Sequence, residues 1–452
     1  MKCIFLTATL ICTIALSSYA QQVPLPNTPR NFSLADCIKY AYEHQDSVKN
    51  ANLDVKSAEY KVKETIGSGL PQISGSISFQ DFLKPPATVG PNIFATPIDL
   101  NAPLIKFPFG AVKYNNTYSL QASQLLFSGT FIVGLQAVKT FRELSQRSLV
   151  RSKIETNVNV TKAYYQVLVS DEQIKLLDAN IAQLKQQLDQ TTQQNKQGFV
   201  EKIDVDRLSV QYNNLVTNRE NVARALILNY QMLKFQMGMQ IEEEITLTDK
   251  LADIKFDQVV STTLDTTFYH NRIEYKLLET NVTLNQLDVK SKKATFLPTV
   301  SLNAGFGEVF QENQFRYLYN NMYPNSFIGL DINIPIFSGW QRSNQLKQSQ
   351  INVQKAQNDL YNASNGFKLQ ASAARITFFN SLQSLNNQKR SRELAQEVLR
   401  VSKIKYAQGV GSSIEVTQAQ TELENSDNQY IQALYNALIS KVDLDKAYAR
   451  IN

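Results

Sequence analysis

The residues that could carry catalytic chemistry are few and scattered. The chain has two histidines, His44 and His270, which occupy similar places in two short leading helices, so neither belongs to a local metal cluster. Glu43 and Asp46 share one helix face among many, which does not mark them as an acid–base pair. No glycine-rich phosphate loop occurs. The sequence therefore predicts a protein that is not an enzyme and that uses no cofactor, no metal and no energy source of its own.

A duplicated set of short motifs is more informative than any single residue. Three motifs recur in the same order, between 210 and 227 residues later. The pairs are Leu70-Pro71 with Leu297-Pro298, Phe127-Ser128-Gly129 with Phe337-Ser338-Gly339, and Gln197-Gly198 with Gln408-Gly409. Each copy is predicted to run as helix, strand, loop, strand, very long helix, turn and helix. The chain is therefore internally duplicated, with two strands and long coiled-coil helices per repeat.

The first 20 residues have the features of a secretory signal peptide. Lys2 gives a positive start, residues 4–16 are apolar, and small residues precede the expected cleavage site. The residue before Cys12 has the wrong size for lipid attachment at that cysteine. Cleavage leaves Cys37 as the one cysteine of the mature chain, so we expect no internal disulfide and a Cys37 that packs on a helix face.

Charge and hydropathy argue against nucleic acid as a partner and against membrane-spanning helices. The net charge of +6 comes from interspersed lysine, arginine and acidic residues, which is typical of solvated helix faces and not of a nucleic-acid surface. After the signal peptide there is no apolar run of about 18 residues, the length needed for a membrane-spanning helix. Any passage through a membrane would therefore use strands.

The first repeat, residues 33–238, combines short strands with very long helices. A capping-box-like Ser33 starts a helix that is predicted to continue to about residue 66. The pattern then gives strands near 71–80 and 117–127, separated by a long loop. A helix without proline follows over about 66 residues, or about 100 Å, and a return helix lies near 203–238.

The second repeat, residues 266–450, follows an acidic and irregular connector at 239–265. Its leading helix is predicted to have about 28 residues. Its strands are expected near 298–307 and 326–337, and its long and closing helices near 340–407 and 413–449. The aromatic residues of the two interstrand loops have two interpretations, an interfacial belt or packing of the loops on each other.

Four strands with one apolar face cannot stand alone in a membrane, because the edges of an open sheet leave backbone groups without hydrogen bonds. Closure needs at least about eight strands, so two, three or four chains must each contribute a four-stranded piece. The same assembly would group the helical rods into a hollow cylinder. The alternative is a soluble dimer or bundle with the strands in a small sandwich.

The paired motifs, taken in order, resemble the TolC family of outer-membrane efflux proteins over residues 33–450. The resemblance implies a homotrimer, with a twelve-stranded β-barrel in the lipid of the outer membrane of a Gram-negative bacterium and a twelve-helix tunnel through the periplasm. It also implies docking of the tunnel tip to a periplasmic adaptor (membrane fusion protein) and an inner-membrane pump. The expected function is a passive exit duct for efflux or secretion, with the substrate chosen by the pump.

The resemblance assigns roles to residues at the two hairpin tips, whose turns are expected at Gly198 and Gly409. In the family, a tyrosine before the second tip glycine hydrogen-bonds an aspartate at the first tip, and Tyr406 and Asp204 occupy those places. An arginine that usually contributes to this latch is replaced by Gly411, so we expect a closed state that is less firmly held, or held by other pairs.

The family also suggests a selectivity site on the returning helix of the second repeat. In its best-known member two aspartates at i and i+3 form stacked acidic rings, and the corresponding residues here are Glu415 and Gln418. One ring would stay acidic and one would be neutral. From the residues alone, Glu415 is equally a solvated carboxylate that offsets the helix dipole, and Asp204 is equally an ordinary N-cap.

A non-pore periplasmic coiled-coil adaptor or structural protein is the alternative function. An adaptor would carry one helical hairpin inserted in a small glycine-rich β domain. This sequence predicts two hairpins with amphipathic strands between long helices, which favours the duct.

Overall fold

The computed structural model describes residues 30–85, 88–91, 103–107, 112–251 and 267–451. The predicted signal peptide at 1–20 and much of the 239–265 connector lie outside these residues. Two compact units are built from alternating stretches of the chain. The first unit holds the described parts of Met1–Asp46, Thr156–Val260 and Phe379–Val442, and the second holds those of Ser47–Glu155, Ser261–Phe378 and Asp443–Asn452.

Seven α-helices lie in the described part of the chain. Their bounds are α1 Leu34–His44, α2 Asp46–Gly67, α3 Gly129–Lys196, α4 Lys202–Met237, α5 Ile273–Ala294, α6 Gln341–Ala407 and α7 Ser413–Ala447. The predicted long helices are present, with 68 residues in α3 and 67 in α6. None of the described helices combines the length and the apolar character required to cross a bilayer.

The described strands form three sheets. Their bounds are β1 Arg30–Phe32, β2 Gln72–Asp81, β3 Thr88–Gly90, β4 Ile105–Phe107, β5 Tyr114–Ser128, β6 Ile245–Leu247, β7 Thr299–Glu312 and β8 Tyr323–Asn333. The largest sheet has the antiparallel order β2-β5-β7-β8, and β3-β4 and β1-β6 are two-stranded. The loop expected between the first two long strands therefore contains the β3-β4 pair, and β5 starts earlier than the pattern indicated.

The four-stranded sheet belongs to the second unit and has one apolar and one polar face. Ile77 pairs with Tyr118 on the apolar face, and Ser76 pairs with Ser119 on the other, with their hydroxyl oxygens 2.7 Å apart. This is the result of side chains alternating between faces along a strand. Ile77 is 72% exposed and Ile328 is 76% exposed, so the apolar face is open in the single chain.

The strand predicted to reach residue 337 ends earlier. β8 stops at Asn333, and Ile334 and Ile336 follow outside the ladder, in the part that the structure describes. Because alternation of apolar residues continues past the last paired residue, the sequence pattern alone could not show where pairing ends.

The aromatic residues of the β7–β8 loop pack on the apolar face of the sheet. The Asn116 amide donates to the Tyr319 hydroxyl over 2.8 Å, and the Phe315 ring lies edge-on to Tyr114, with centroids 5.5 Å apart. Asn116 and Tyr114 belong to β5, so these aromatic residues pack on a strand, and the Lys113 N–H of the other loop also donates to the Asn313 side-chain oxygen over 3.1 Å.

The core of the first unit joins α1 to the middle of α3 and to the end of α4. Cys37, Val160, Tyr164 and Leu233 are buried there, so the prediction that Cys37 packs on a helix face is confirmed. The carboxylate of Asp249 also holds this unit together. It accepts hydrogen bonds from the Tyr164 hydroxyl and from the Leu34 N–H, both over 2.9 Å.

Two predictions about the leading helices were wrong. Ser33 does form a capping box with Asp36, but the helix expected to reach residue 66 breaks at Gln45. Gly238, with φ of 72°, ends α4 against this break, and a Cβ there would lie 2.6 Å from the His44 carbonyl oxygen. The break therefore accommodates a close approach of two backbones, which no local sequence signal records.

The second leading helix is also shorter than predicted. A 3-10 turn at Phe268–Asn271 precedes the 22-residue α5. Between them Arg272 has an extended backbone, and its buried guanidinium binds Glu274 and the Gln370 side-chain oxygen, the latter over 2.7 Å. Part of the connector that was predicted to be irregular forms β6, which pairs in parallel with β1.

Candidate functional site at the hairpin tips

Both hairpin tips turn through the same backbone motif. Gly198 ends α3 with φ of 81°, and Gly409 follows α6 with φ of 77°. The Phe199 N–H donates to the Gln194 carbonyl over 2.9 Å, and the Val410 N–H donates to the Lys405 carbonyl over 3.0 Å. These are Schellman caps, which favour glycine because its backbone enters the left-handed region without strain. The duplicated sequence therefore gives duplicated tips.

Gly411, which stands where the family arginine is expected, is crowded by the end of α6. Its N–H donates to the Lys405 carbonyl over 3.1 Å. A Cβ on Gly411 would lie 3.0 Å from the Lys405 Cβ and 3.1 Å from the Tyr406 nitrogen. Such contacts are tighter than ordinary packing, so this turn is built around a residue without a side chain.

Asp204 lies in the first turn of α4 and binds the start of α7. Its Oδ1 accepts a hydrogen bond from the Ser413 hydroxyl over 2.5 Å and lies 3.6 Å from an Arg207 guanidinium nitrogen. The N-cap position of α4 is Glu201, so the interpretation of Asp204 as an N-cap is wrong. Asp204 instead links the two hairpins.

Tyr406 lies near Asp204 but is not its partner within this chain. Among the described residues the Tyr406 hydroxyl has no hydrogen bond, and its ring packs against an apolar cluster of α6 and α7 that includes Leu399 and Val416. Burial raises the pKa of Tyr406, and the negative charge of Asp204 raises it further. The structure thus brings Tyr406 and Asp204 close together, but the residue that hydrogen-bonds Asp204 is Ser413.

Glu415 and Gln418 lie one turn apart on α7, and both are exposed. The Glu415 N–H donates to the Ser412 hydroxyl oxygen over 3.2 Å, so Ser412 caps the helix and the Glu415 carboxylate is free to face solvent. A carboxylate in the first turn also offsets the positive end of the helix dipole. The geometry suits both interpretations of Glu415.

Each hairpin has an apolar seam of its own near the tip. The α3/α4 seam contains Leu177, Leu184, Leu208 and Leu215, and the α6/α7 seam contains Ala395, Leu399, Val416, Ala419 and Leu423. A buried apolar cluster that includes both hairpins appears further from the tips, where Val169 of α3 meets Leu385 of α6 and Ile431 of α7.

The hydrogen bonds between the hairpins near the tips join polar side chains. The Asn180 amide donates to Asp427 Oδ2 over 2.8 Å, and the Gln211 amide lies 3.2 Å from the Thr421 hydroxyl. The Ser413–Asp204 bond described above is a third such link. Because each hairpin keeps its own apolar seam there, a relative shift of the tips breaks these polar contacts and need not expose the seams.

Asp427 also forms an ion pair within the α6/α7 hairpin, which the sequence did not predict. Arg392 of α6 donates from Nε to Asp427 Oδ1 over 2.6 Å, and Asp427 also holds Asn180 of α3. The Asp427 side chain is 9% exposed and that of Arg392 is 25% exposed. The spacing of Asp427 could have indicated a buried carboxylate, because Asp427 falls between Leu423 and Ile431 on the buried face of α7.

An open cavity of about 650 Å³ lies between the ends of α3 and α6. Its lining is rich in glutamine and includes Tyr406, Phe199 and Lys403. Burial lowers the pKa of the Lys403 ammonium group. Within the described ranges, no group of three or more His, Cys, Asp and Glu side chains is placed to hold a metal ion.

Comparison with known proteins gives a consistent result. The model of the family described as "Outer membrane efflux protein" matches residues 37–238 and 276–450. The outer membrane protein TolC of Salmonella enteritidis is 25% identical over 345 residues, which are 74% of this chain and 69% of that protein. The proteases secretion protein PrtF of Dickeya chrysanthemi is 23% identical over 324 residues, 70% of this chain and 67% of that protein.

The fold is also that of solved outer-membrane channels. The open state of the MtrE outer membrane channel of Neisseria gonorrhoeae superposes with a TM-score of 0.74 at 15% sequence identity. The match covers 92% of this chain and 88% of that one.

Proposed function

The chain belongs to the TolC family of outer membrane efflux proteins, and on that premise we propose that it is the passive exit duct of a tripartite efflux or secretion system. It is an outer-membrane protein of a Gram-negative bacterium. The observation that carries the proposal is the pairing of an open, amphipathic four-stranded sheet with two long helical hairpins in one duplicated chain. The two matched ranges support the division into repeats at 33–238 and 266–450.

The duct is completed by three copies of the chain. Among the described strands, β2 and β8 each pair on one side only, which leaves two open edges. Because β2 and β8 are antiparallel within the sheet order, β8 of one copy continues the alternation with β2 of the next, and three copies close a barrel of twelve strands. The helical hairpins of the three copies then line a tunnel that extends into the periplasm.

The hairpin tips are the docking surface for a periplasmic adaptor, which connects the duct to an inner-membrane pump. Each tip glycine is followed by an exposed apolar residue, Phe199 at 77% exposure and Val410 at 76%. A few side chains that become buried at the centre of a contact supply most of its binding energy. The duplicated tips therefore offer the adaptor two similar contact points on each chain.

Opening is a shift of one hairpin against the other and needs no chemistry in this chain. At rest, the Ser413–Asp204 and Asn180–Asp427 hydrogen bonds hold the hairpins together. A partner opens the duct only if it binds the open state more tightly than the closed one. Three copies of Glu415 then form an acidic ring that favours cations, with Gln418 forming a neutral ring one turn away.

Membrane fractionation combined with heat-modified gel migration tests this function. A duct sediments with outer membranes and migrates as a folded trimer before heating. The alternative, a periplasmic adaptor or structural protein without a pore, would stay in the soluble periplasmic fraction, and the comparisons do not favour it.

A further inference from the structure

Glu424 occupies an unusual position between the two hairpins. It is half-buried on α7, and its Oε1 lies 3.5 Å from the Gln211 amide nitrogen of α4, at the outer limit of a hydrogen bond. The other side-chain atom of that amide, Gln211 Oε1, is buried and has no hydrogen-bond partner. The contact between α4 and α7 thus places the weakly held Glu424 carboxylate beside the Gln211 side-chain oxygen, which lacks a hydrogen-bond donor.

The charged groups around Glu424 do not compensate its charge. On its own helix Asp427 stands three residues further on, and this spacing places both carboxyl groups on one face. Arg392 of α6 is engaged with Asp427. The described side chains that hydrogen-bond to this part of α7 from α3 and α4 include the neutral amides of Asn180, Gln183 and Gln211. The nearby ion pair between α3 and α4, Asp178 with Arg219, is exposed at the surface.

These surroundings favour the neutral form of the Glu424 carboxyl group. Burial raises the pKa of Glu424 and the charge of Asp427 raises it further, while the amides of Gln420 and Gln211 oppose the rise. Separation of the hairpins would hydrate Glu424 and return its pKa towards the usual value. The closed form therefore binds the proton more tightly than the open form, so a fall in pH favours closure.

We propose that Glu424 is a proton-operated latch between the hairpins. A proton taken from solvent neutralises the carboxylate, removes its repulsion with Asp427 and creates an O–H that donates to Gln211 Oε1. The hairpins are then joined more firmly, and the duct closes when the periplasm becomes acidic. This inference rests on the proposed function, since it regulates the same tips.

Conductance in planar lipid bilayers tests the latch. Because the closed form binds the proton more tightly, we expect the wild-type ratio of open to closed channels to fall several-fold between about pH 8 and about pH 5. Glu424→Gln cannot titrate and should lose this response. Glu422→Gln, which changes an exposed carboxylate two residues away, should keep it. An identical pH response in Glu424→Gln and wild type would overturn the proposal.

Hydrogen exchange provides a readout that does not depend on conduction. After correction for the intrinsic effect of pH, amides of α4 and α7 near Gln211 and Glu424 should become more protected in acid in the wild type and not in Glu424→Gln. Equal protection in both proteins would contradict the latch even if the protein formed no channel. Absence of channels with a Glu424-dependent change in protection would instead contradict the proposed duct and leave the latch supported.

Discussion

The Ser413 hydroxyl donates a hydrogen bond to Asp204 Oδ1 over 2.5 Å and so joins the first turn of α7 to the first turn of α4. The family resemblance assigned Asp204 to Tyr406, whose hydroxyl has no hydrogen bond among the described residues. Because both partners of the observed bond lie next to the tip turns, its loss should act on the gate more than on the rest of the fold.

Replacing Ser413 with alanine should raise the single-channel conductance in a planar bilayer. The substitution removes the donor to Asp204, and a hydrogen bond to a charged group contributes about 1.5–3 kcal/mol. Ser209→Ala is the matched control, because the Ser209 hydroxyl donates only to the Val205 carbonyl of its own helix. Equal conductance of Ser413→Ala and Ser209→Ala would show that the Ser413–Asp204 bond does not hold the gate.

Replacing Tyr406 with phenylalanine should change conductance less than Ser413→Ala does. The family latch predicts an increase for this variant. The structure predicts a small effect, because phenylalanine keeps the ring that packs on Leu399 and Val416 and removes a hydroxyl that has no hydrogen bond to any residue the structure describes. Recording both variants under the same conditions decides between the two assignments, and a larger increase for Tyr406→Phe would favour the family latch.

Two substitutions on one face of α7 should change cation preference in opposite directions. Glu415→Gln removes the proposed acidic ring and should weaken the preference, whereas Gln418→Asp adds a second ring and should strengthen it. Reversal potentials in a salt gradient measure both effects. If neither variant shifts the reversal potential, Glu415 is a solvated carboxylate at a helix start and not part of a selectivity ring.

Removing Arg392 should destabilise the hairpin region. Arg392→Ala leaves the buried Asp427 carboxylate without its cation, and breaking such a pair costs about 3 kcal/mol. The control is Arg400→Ala on the same helix, since the Arg400–Glu397 pair is exposed at 60% and 57% and should contribute at most about 1 kcal/mol. Urea unfolding followed by helical circular dichroism compares them. Similar midpoints for the two variants would contradict the structural importance of the Asp427 links.

The sequence predicts the long elements of this fold well, because helix seams and alternating strands are local patterns. It also places both tip turns, since Gly198 and Gly409 are the residues that a left-handed cap requires. Prediction from the sequence fails where a contact between distant parts of the chain determines the local structure. The break at Gln45 depends on Gly238, and the short strand at Ile245–Leu247 depends on its partner at Arg30–Phe32.

In the candidate site, too, the sequence identifies residues near the local turns but not the contacts between distant helices. The tip glycines follow from the duplicated turn motifs, whereas Asp204, Tyr406 and Glu415 were assigned roles at the gate by a resemblance. The choice of Ser413 as the partner of Asp204 depends on how α4 and α7 meet, and no motif encodes that meeting. Asp427 carried a readable signal, an acid at a seam position of α7, but its partners on α3 and α6 are separated from it by long stretches of chain.

Bilayer recordings of the purified protein without any partner show whether this chain forms a passive duct held shut by links between its hairpins. We expect stepwise, cation-preferring conductance from cross-linkable trimers, with no need for nucleotide and with larger steps in Ser413→Ala. Folded, membrane-extracted protein that gives no conductance in either the wild type or Ser413→Ala would contradict this function.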